Sequence, residues 1–283
     1  MTPSGAIIGY ELTERDLAMI RRLVYDKSGI MLHEGKGALV MARLQRRLRS
    51  GGFRSFRQYI RHVQDDETGD ELTALIDAIA TNHTSFFREP RHFGFLRDVV
   101  LPPLIARRDN GVIHGWSAAC ATGEEAYTIA MTLVELFGSE TARRVRLLAS
   151  DLSTKALVAA RAGVYKAQRM ADVPREVARK YFEPAPGAPA GTMRIADPIR
   201  RVVEFQQVNL LDRQPPRPIY DFIFCRNVMI YFDRPVQQQV VRTLEQQLVP
   251  GGYLFISHAE SLNCVHHGLT WVAPAVYRRP LQS

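Results

Sequence analysis

The chain has 283 residues, 46% hydrophobic and 23% charged, the ordinary balance of a globular protein able to bury one large core or two smaller ones. Its formal net charge is +8, and its three cysteines, Cys120, Cys225 and Cys264, are too few and too scattered to suggest a disulfide framework or a structural zinc site. The opening residues MTPSGAIIGYELTERDLAMI lack a secretory leader's basic start and apolar run, and no apolar stretch nears the roughly 20 residues that span a bilayer. A cytoplasmic protein without membrane insertion is expected.

Residues 1–80 read as a helical domain. Thr13, followed by Glu14, Arg15 and Asp16, has the form of a capped helix start, and Leu17, Ile20, Leu23 and Val24 then mark one apolar stripe. Further stripes run through Leu39, Met41, Leu44 and Leu48, through Phe56, Tyr59, Ile60 and Val63, and through Leu72, Leu75, Ile76 and Ile79. Gly51 and Gly52, after an arginine-rich last turn, suit a helix stop. From Gly37 to Gln64 there are seven arginines and no acidic residue, which leaves the rest of the chain near +1. Arg43, Arg46, Arg47, Arg49 and Arg54 fall on or beside one helix through Leu39–Leu48. Such a face is either solvated or a dock for an acidic partner, and the absence of interleaved glutamates favours docking.

Residues 81–96 read as a linker, and from residue 97 to 283 strands alternate with helices. GVIHGWS at Gly111–Ser117 and VRLLAS at Val145–Ser150 have strand length, and Glu124–Phe137 between them has helical periodicity. YDFIF at Tyr220–Phe224 and GYLFIS at Gly252–Ser257 follow the same plan around a helix at Arg234–Leu248 that ends in a Pro250-Gly251-Gly252 turn. The alternation implies an α/β fold with a parallel, doubly wound sheet. One stretch breaks the rhythm. EPAPGAPAGT at Glu183–Thr192, with strand-like Met193–Ile195 and Arg201–Val208, reads as a small antiparallel β-subdomain inserted at about 183–208, or else as a surface loop.

Ligands of doubly wound sheets sit beyond the carboxyl ends of the strands, so the loop after the first strand is informative. It reads WSAACATGEE from Trp116 to Glu125, with one glycine where a dinucleotide fingerprint has three. Glu124 and Glu125 open the next helix, where a pyrophosphate would be repelled. S-adenosylmethionine carries an ammonium and a sulfonium instead, for which Glu125 is a suitable partner; alternatively both glutamates only complement the helix dipole. Asp151, directly after the second strand, is placed to accept from both ribose hydroxyls of an adenosine cofactor, or to cap a helix at Thr154–Ala162. The two features together favour S-adenosylmethionine over NAD.

Five words of the sequence carry a further likeness: TNHTSFFRE at Thr81–Glu89, WSAACATGEEAYTIAMTL at Trp116–Leu133, ASDLS at Ala149–Ser153, VNLLD at Val208–Asp212 and FCRNVMIYFD at Phe224–Asp233. In these words and their order the chain resembles the CheR-type chemotaxis receptor methyltransferases over nearly its whole length. The resemblance implies an all-α N-terminal domain followed by a Rossmann-like class I methyltransferase domain with a small inserted β-subdomain. It implies transfer of methyl from S-adenosylmethionine, leaving S-adenosylhomocysteine, to glutamates on chemoreceptor signalling helices, with no metal. Asn82, Thr84 and Arg88 would line the cofactor pocket, Glu125 the methionine end, Asp151 the ribose, Asn209 and Leu210 the adenine, and Arg226 and Asn227 the far wall. Arg88 and Tyr231 would flank the reactive methyl. The inserted segment is where some family members capture a peptide from the receptor C-terminus. The sequence departs from the family at His83 and Ala126, neither of them among these contacts.

Elementary chemistry suits the implied reaction. A glutamate carboxylate, with an unperturbed pKa of about 4.3, is already ionised near neutrality and requires no general base to displace a sulfonium. The sequence accordingly offers no evident Ser-His-Asp or Cys-His arrangement. Alignment of reactants supplies roughly 7–11 kcal/mol in well-oriented cases. Arg88 is placed to grip the incoming carboxylate, or to serve as a linker salt bridge, and Tyr231 to orient it. The basic pI of about 9.6 raises a nucleic-acid methyltransferase as rival. Against it, the position of an Asn/Asp-Pro-Pro-aromatic word reads Arg226-Asn227-Val228-Met229. An inactive S-adenosylmethionine-binding adaptor is countered by Glu125, Asp151, Arg88 and Tyr231.

Overall fold

The structure, a computed structural model, describes residues 10–33, 35–107, 111–212 and 219–281. The first nine residues of the opening segment read above for a leader lie outside these. The chain divides into two compact units, Met1–Thr81 and Asn82–Ser283.

The first unit contains α1 (Glu14–Ser28), α2 (Gly37–Ser50), α3 (Phe56–Asp65) and α4 (Asp70–Ile79). Thr13 caps α1 as its sequence suggests: its hydroxyl oxygen accepts the Asp16 N–H, and its hydroxyl donates back to the Asp16 carboxylate at 2.6 Å. The buried face of α2 is Val40, Leu44 and Leu48, a strict four-residue spacing, while Leu39 is exposed. The expected stripe was thus displaced by one residue at its start. At the end of α2 the left-handed residue is Gly52 (φ 70°), with Phe53 N–H closing on Leu48 O at 3.0 Å. Phe56, Tyr59, Ile60 and Val63 of α3 are all buried, as their spacing requires.

Two arginines of the basic run are committed within this unit. Arg43 donates to the carbonyls of Ile79 and Ala80 and to the Thr81 hydroxyl, satisfying the open end of α4. Arg47 Nε donates to the Tyr59 hydroxyl at 2.8 Å and its guanidinium pairs with Glu71. Burial lifts the Tyr59 phenol to about 12, so it stays a neutral acceptor. Arg46, Arg49 and Arg54 remain exposed.

The second unit opens with α5 (Arg91–Phe95), a π-turn at Leu96–Val100 and α6 (Leu101–Arg107). In chain order there follow β1 (Ile113–Ala118), α7 (Glu124–Phe137), α8 (Thr141–Arg144), β2 (Val145–Asp151), α9 (Thr154–Ala162), β3 (Val164–Lys166), α10 (Arg175–Tyr181), β4 (Phe182–Pro184), β5 (Thr192–Ile195), α11 (Asp197–Arg200), β6 (Val203–Gln207), β7 (Tyr220–Cys225), α12 (Arg234–Gln247), β8 (Leu248–Phe255), β9 (Thr270–Ala273) and β10 (Val276–Arg278). Seven strands form one sheet in the order β6-β2-β1-β7-β8-β10-β9. β6, β2, β1, β7 and β8 are parallel, whereas β10 runs antiparallel to β8 and to β9.

This corrects two expectations. The sheet is mixed, because a closing hairpin at 270–278 adds an antiparallel edge. The inserted antiparallel sheet is β3-β5-β4, spanning 164–195, and not 183–208. β6 instead lies parallel to β2 at the sheet edge. An edge strand covered on one side only shows partial alternation, which is why its sequence resembles a solvated hairpin strand.

β7 is buried at every position, and Phe222 and Phe224 anchor the core there. Phe224 stacks on Phe255 with ring centroids 4.2 Å apart and on Phe93 at 5.8 Å, so α5 and two central strands share one aromatic cluster. Among the described residues no helix is long and apolar enough to cross a membrane.

Candidate active site

The sheet order reverses between β1 and β7: the chain proceeds from β1 through β2 to β6 on one side and from β7 to β8 on the other. A crevice at the carboxyl ends of the strands belongs there. The loop after β1 turns sharply, with Ala119, Ala121 and Gly123 all at positive φ. Gly123 (φ 96°) is also hemmed in, since a Cβ there would lie 3.0 Å from the Ala160 Cβ and 3.1 Å from the Tyr165 hydroxyl. Glu124, fully buried, accepts from Thr122 at 2.6 Å and Arg169 at 2.5 Å and holds this turn at the positive end of α7.

Asp151, the last residue of β2, accepts the Ala121 N–H on one carboxylate oxygen and the Ser153 N–H on the other, each at 2.8 Å. It does not cap α9; Ser153 does, accepting the Ala156 N–H at 3.1 Å. The carboxylate is therefore aimed by the loop it holds. Asn82 donates to the Ser153 hydroxyl at 3.3 Å, which brings the segment before α5 to the same corner. Asn209 shapes the turn after β6, its side chain accepting the Leu211 N–H at 3.0 Å, with half-buried Leu210 between them. Thr84 is half-buried.

The centre of the site is Arg226, immediately after β7. Its side chain is only 1% exposed, and it donates to Glu125 Oε2 at 2.9 Å and to the Arg88 carbonyl at 2.6 Å, and pairs with Glu89 Oε2 at 3.0 Å. Ser117 on β1 donates to the other Glu125 oxygen at 2.8 Å. Arg226 thus fixes two groups expected to face the cofactor, the Arg88 backbone and the Glu125 carboxylate.

Arg88 lies between two left-handed residues, Phe87 (φ 54°) and Glu89 (φ 56°), and donates to the His83 carbonyl at 3.2 Å. Backbone of this kind costs of order 1–3 kcal/mol per residue and persists where surrounding bonds over-determine it. Here the bonds are Arg226 on the Arg88 carbonyl and Ser257 on Glu89 Oε1, the latter at 2.8 Å. Asn227, also left-handed (φ 60°), donates through its amide to the same Ser257 hydroxyl at 2.6 Å. Tyr231 ends the short 3₁₀ turn that follows and is half-buried.

Electrostatics follow the geometry. Burial pushes the Glu89 carboxyl up, but the Ser257 hydroxyl and the Arg226 guanidinium outweigh it and hold it at about 2. For Glu125 burial prevails over Arg226 and the net direction is upward. His92, 2% exposed, is pushed down to about 4 by burial and then by Arg226.

Glu89, His92 and His258 could together hold a cation, with ligand atoms within 4.8 Å of one another. Arg226 already occupies the shared carboxylate oxygen. A divalent ion about 4 Å from that guanidinium would meet roughly 8 kcal/mol of repulsion at an effective dielectric of about 20.

Of these groups Glu89 and Ser257 escape a reading by motif. Glu89 sits inside a quoted word, and its place next to Arg88, a catalytic candidate, is the available signal. Ser257 follows a strand with no spacing that marks it.

A mixed sheet of this order, with an acidic residue closing β2 and a single glycine in the first loop, fits a class I S-adenosylmethionine-dependent methyltransferase. Comparison with known proteins refines this. Residues 82–275 match the family model of the CheR methyltransferase SAM binding domain, and residues 15–80 that of the CheR methyltransferase all-alpha domain. The chain is 39% identical to Chemotaxis protein methyltransferase 2 of Pseudomonas aeruginosa over 98% of both chains. It is 37% identical to the Chemotaxis protein methyltransferase of Escherichia coli, over 94% of this chain and 91% of that one, and 35% identical to that of Borreliella burgdorferi, over 96% of both. The chain belongs to the CheR methyltransferase family.

Proposed function

We propose that this chain transfers the methyl group of S-adenosylmethionine to glutamate side-chain carboxylates of chemoreceptor proteins, forming methyl esters. The observation that carries the reading is the Arg226 node, which fixes the Arg88 backbone and the Glu125 carboxylate together at the β1–β7 switch point. Such a node serves to align reactants, and an already ionised acceptor needs alignment without a general base. The names of the relatives, chemotaxis protein methyltransferases, support a receptor as substrate.

S-adenosylmethionine, when bound, supplies an electrophilic methyl on a sulfonium. Its ammonium suits Glu125 and its ribose diol suits Asp151, while Asn209 and Leu210 take the adenine side and Asn82, Thr84, Arg226 and Asn227 complete the lining. Arg88 grips the acceptor carboxylate and Tyr231 orients it, both flanking the methyl. Arg46, Arg49 and Arg54 dock the glutamate-rich receptor helix, and Arg43 and Arg47 serve mainly to build that surface. Arg88→Ala should lose at least about 100-fold in turnover, the size of a lost orienting contact. Its affinity for S-adenosylhomocysteine, measured by calorimetry, reports separately on cofactor binding. A wild-type rate in that variant removes Arg88 from the mechanism.

A further inference from the structure

The loop from Asn227 to Tyr231 is held from behind by a single carboxylate that the reading above does not use. Glu260, in the turn after β8, accepts the Met229 N–H on Oε1 at 2.8 Å. On Oε2 it accepts the Asn227 N–H at 3.1 Å and the Ser257 N–H at 2.8 Å. We propose that Glu260 is a positioning residue for methyl transfer, its ionised carboxylate fixing the Asn227–Tyr231 loop and through it the Tyr231 phenol. The proposal rests on the role given to Tyr231 above.

Three observations bear on it. First, the partners are backbone donors arranged on both oxygens, and among the described residues no salt bridge reaches Glu260. An ionised carboxylate accepts freely at both ends, whereas an amide turns one acceptor into a donor facing N–H groups. Burial pushes the Glu260 carboxyl up on balance, and the N–H groups of Ser257, Asn227 and Met229 offset part of that rise. Second, the loop needs a clamp, because Asn227 sits at φ 60° and the following turn is a single 3₁₀ unit. From Met229, anchored on Glu260, the turn is closed by Tyr231 N–H on Val228 O and Phe232 N–H on Met229 O, each at 3.1 Å. Tyr231 is therefore two residues from the anchor with little freedom between. Third, the clamp joins both reactive loops. Ser257, whose N–H Glu260 holds, takes the Asn227 amide on its hydroxyl and donates to Glu89, beside Arg88.

The test compares Glu260→Gln, Glu260→Asp, Tyr231→Phe and the Glu260→Gln/Tyr231→Phe double variant in the full chain. The readouts are kcat with a receptor cytoplasmic fragment, the dissociation constant for S-adenosylhomocysteine and the melting temperature. Glu260→Gln should lower kcat by about 10- to 100-fold, the effect of misplacing a catalytic group by about 1 Å. Cofactor affinity should fall by a smaller factor than kcat, since Asn227 is one of several groups lining the pocket, and Glu260→Asp should recover part of the rate. In the Tyr231→Phe background Glu260→Gln should cost clearly less than it does alone, since the part that acts through the phenol is already lost. A lowered melting temperature with unchanged kcat per folded molecule, or losses that multiply in the double variant, overturns the proposal. If Glu260→Gln does not fold, Glu260→Asp decides: its kcat should fall severalfold, and a wild-type kcat overturns the proposal. Full rate in Tyr231→Phe alone sinks the reading of Tyr231 itself, an outcome visible separately from the Glu260 result.

Discussion

Arg226→Met keeps the length of the side chain and removes the charge that Glu89 and Glu125 share. The wild-type guanidinium is 1% exposed and its carboxylate partners 18% and 12%, so both acids would remain enclosed without their cation. Removing one side of a buried ion pair costs about 3–5 kcal/mol. In a unit of roughly 200 residues each kcal/mol lowers the melting temperature by about 2–4 °C, giving a loss of about 6–20 °C near neutral pH. The pH dependence is more diagnostic. In the wild type Glu89 is depressed from 4.5 to about 2, so its stabilisation is complete above 4.5 and is lost as pH falls toward 2. The variant keeps the share due to the Ser257 hydroxyl and lacks the share due to Arg226, so the two stability curves should draw together across this window. Thermal melts by circular dichroism over a pH series measure both quantities. A loss below about 3 °C, or a gap that stays constant as pH falls through the window, refutes the assignment of Arg226 as the cation of this node.

Three other perturbations have defined outcomes. Gly115→Ala places a Cβ 2.3 Å from the Phe222 ring, which should cost about 1–3 kcal/mol in urea unfolding; Phe222→Leu in the same chain should restore part of it, and strictly additive costs would contradict the clash. Arg47→Ala strips Tyr59 and Glu71 of their donor and should destabilise by about 1–3 kcal/mol, whereas exposed Arg49→Ala should stay within about 0.5, so equal thermal shifts would be inconsistent with this division. His92 is depressed from 6.5 to about 4 by burial, so its contribution is full above 6.5 and is lost as pH falls toward 4. His92→Phe, packed against Phe255, should flatten the urea midpoint in that window, and an unchanged slope would remove His92 as its source.

What the sequence made legible was whatever depends on near neighbours. Thr13 and Asp16, Glu124 at the start of α7, and the stripe of α3 are set by spacings of three and four residues, and they stand where those spacings put them. β6 and the β9–β10 hairpin were misread or missed because strand pairing is a long-range property. Val203–Gln207 has the same alternation whether its neighbour is Leu147–Asp151 or a local hairpin. The site divides the same way. Asp151 is marked by its position after a strand, but its partner Ala121 and the exclusion of a capping role appear only in three dimensions. Arg226 is marked by the family resemblance as part of the site. Its burial against Glu89 and Glu125 depends on three segments that meet only when the sheet is assembled.

The central claim is methyl ester formation on receptor glutamates, and the fate of the label tests it most directly. The full chain would be incubated with methyl-labelled S-adenosylmethionine and a chemoreceptor cytoplasmic fragment, and the labelled protein then treated with mild base. The account requires volatile labelled methanol, released from the receptor and absent when Arg88→Ala replaces the wild type. Label that resists base, or that appears in nucleic acid and not in receptor, would contradict it.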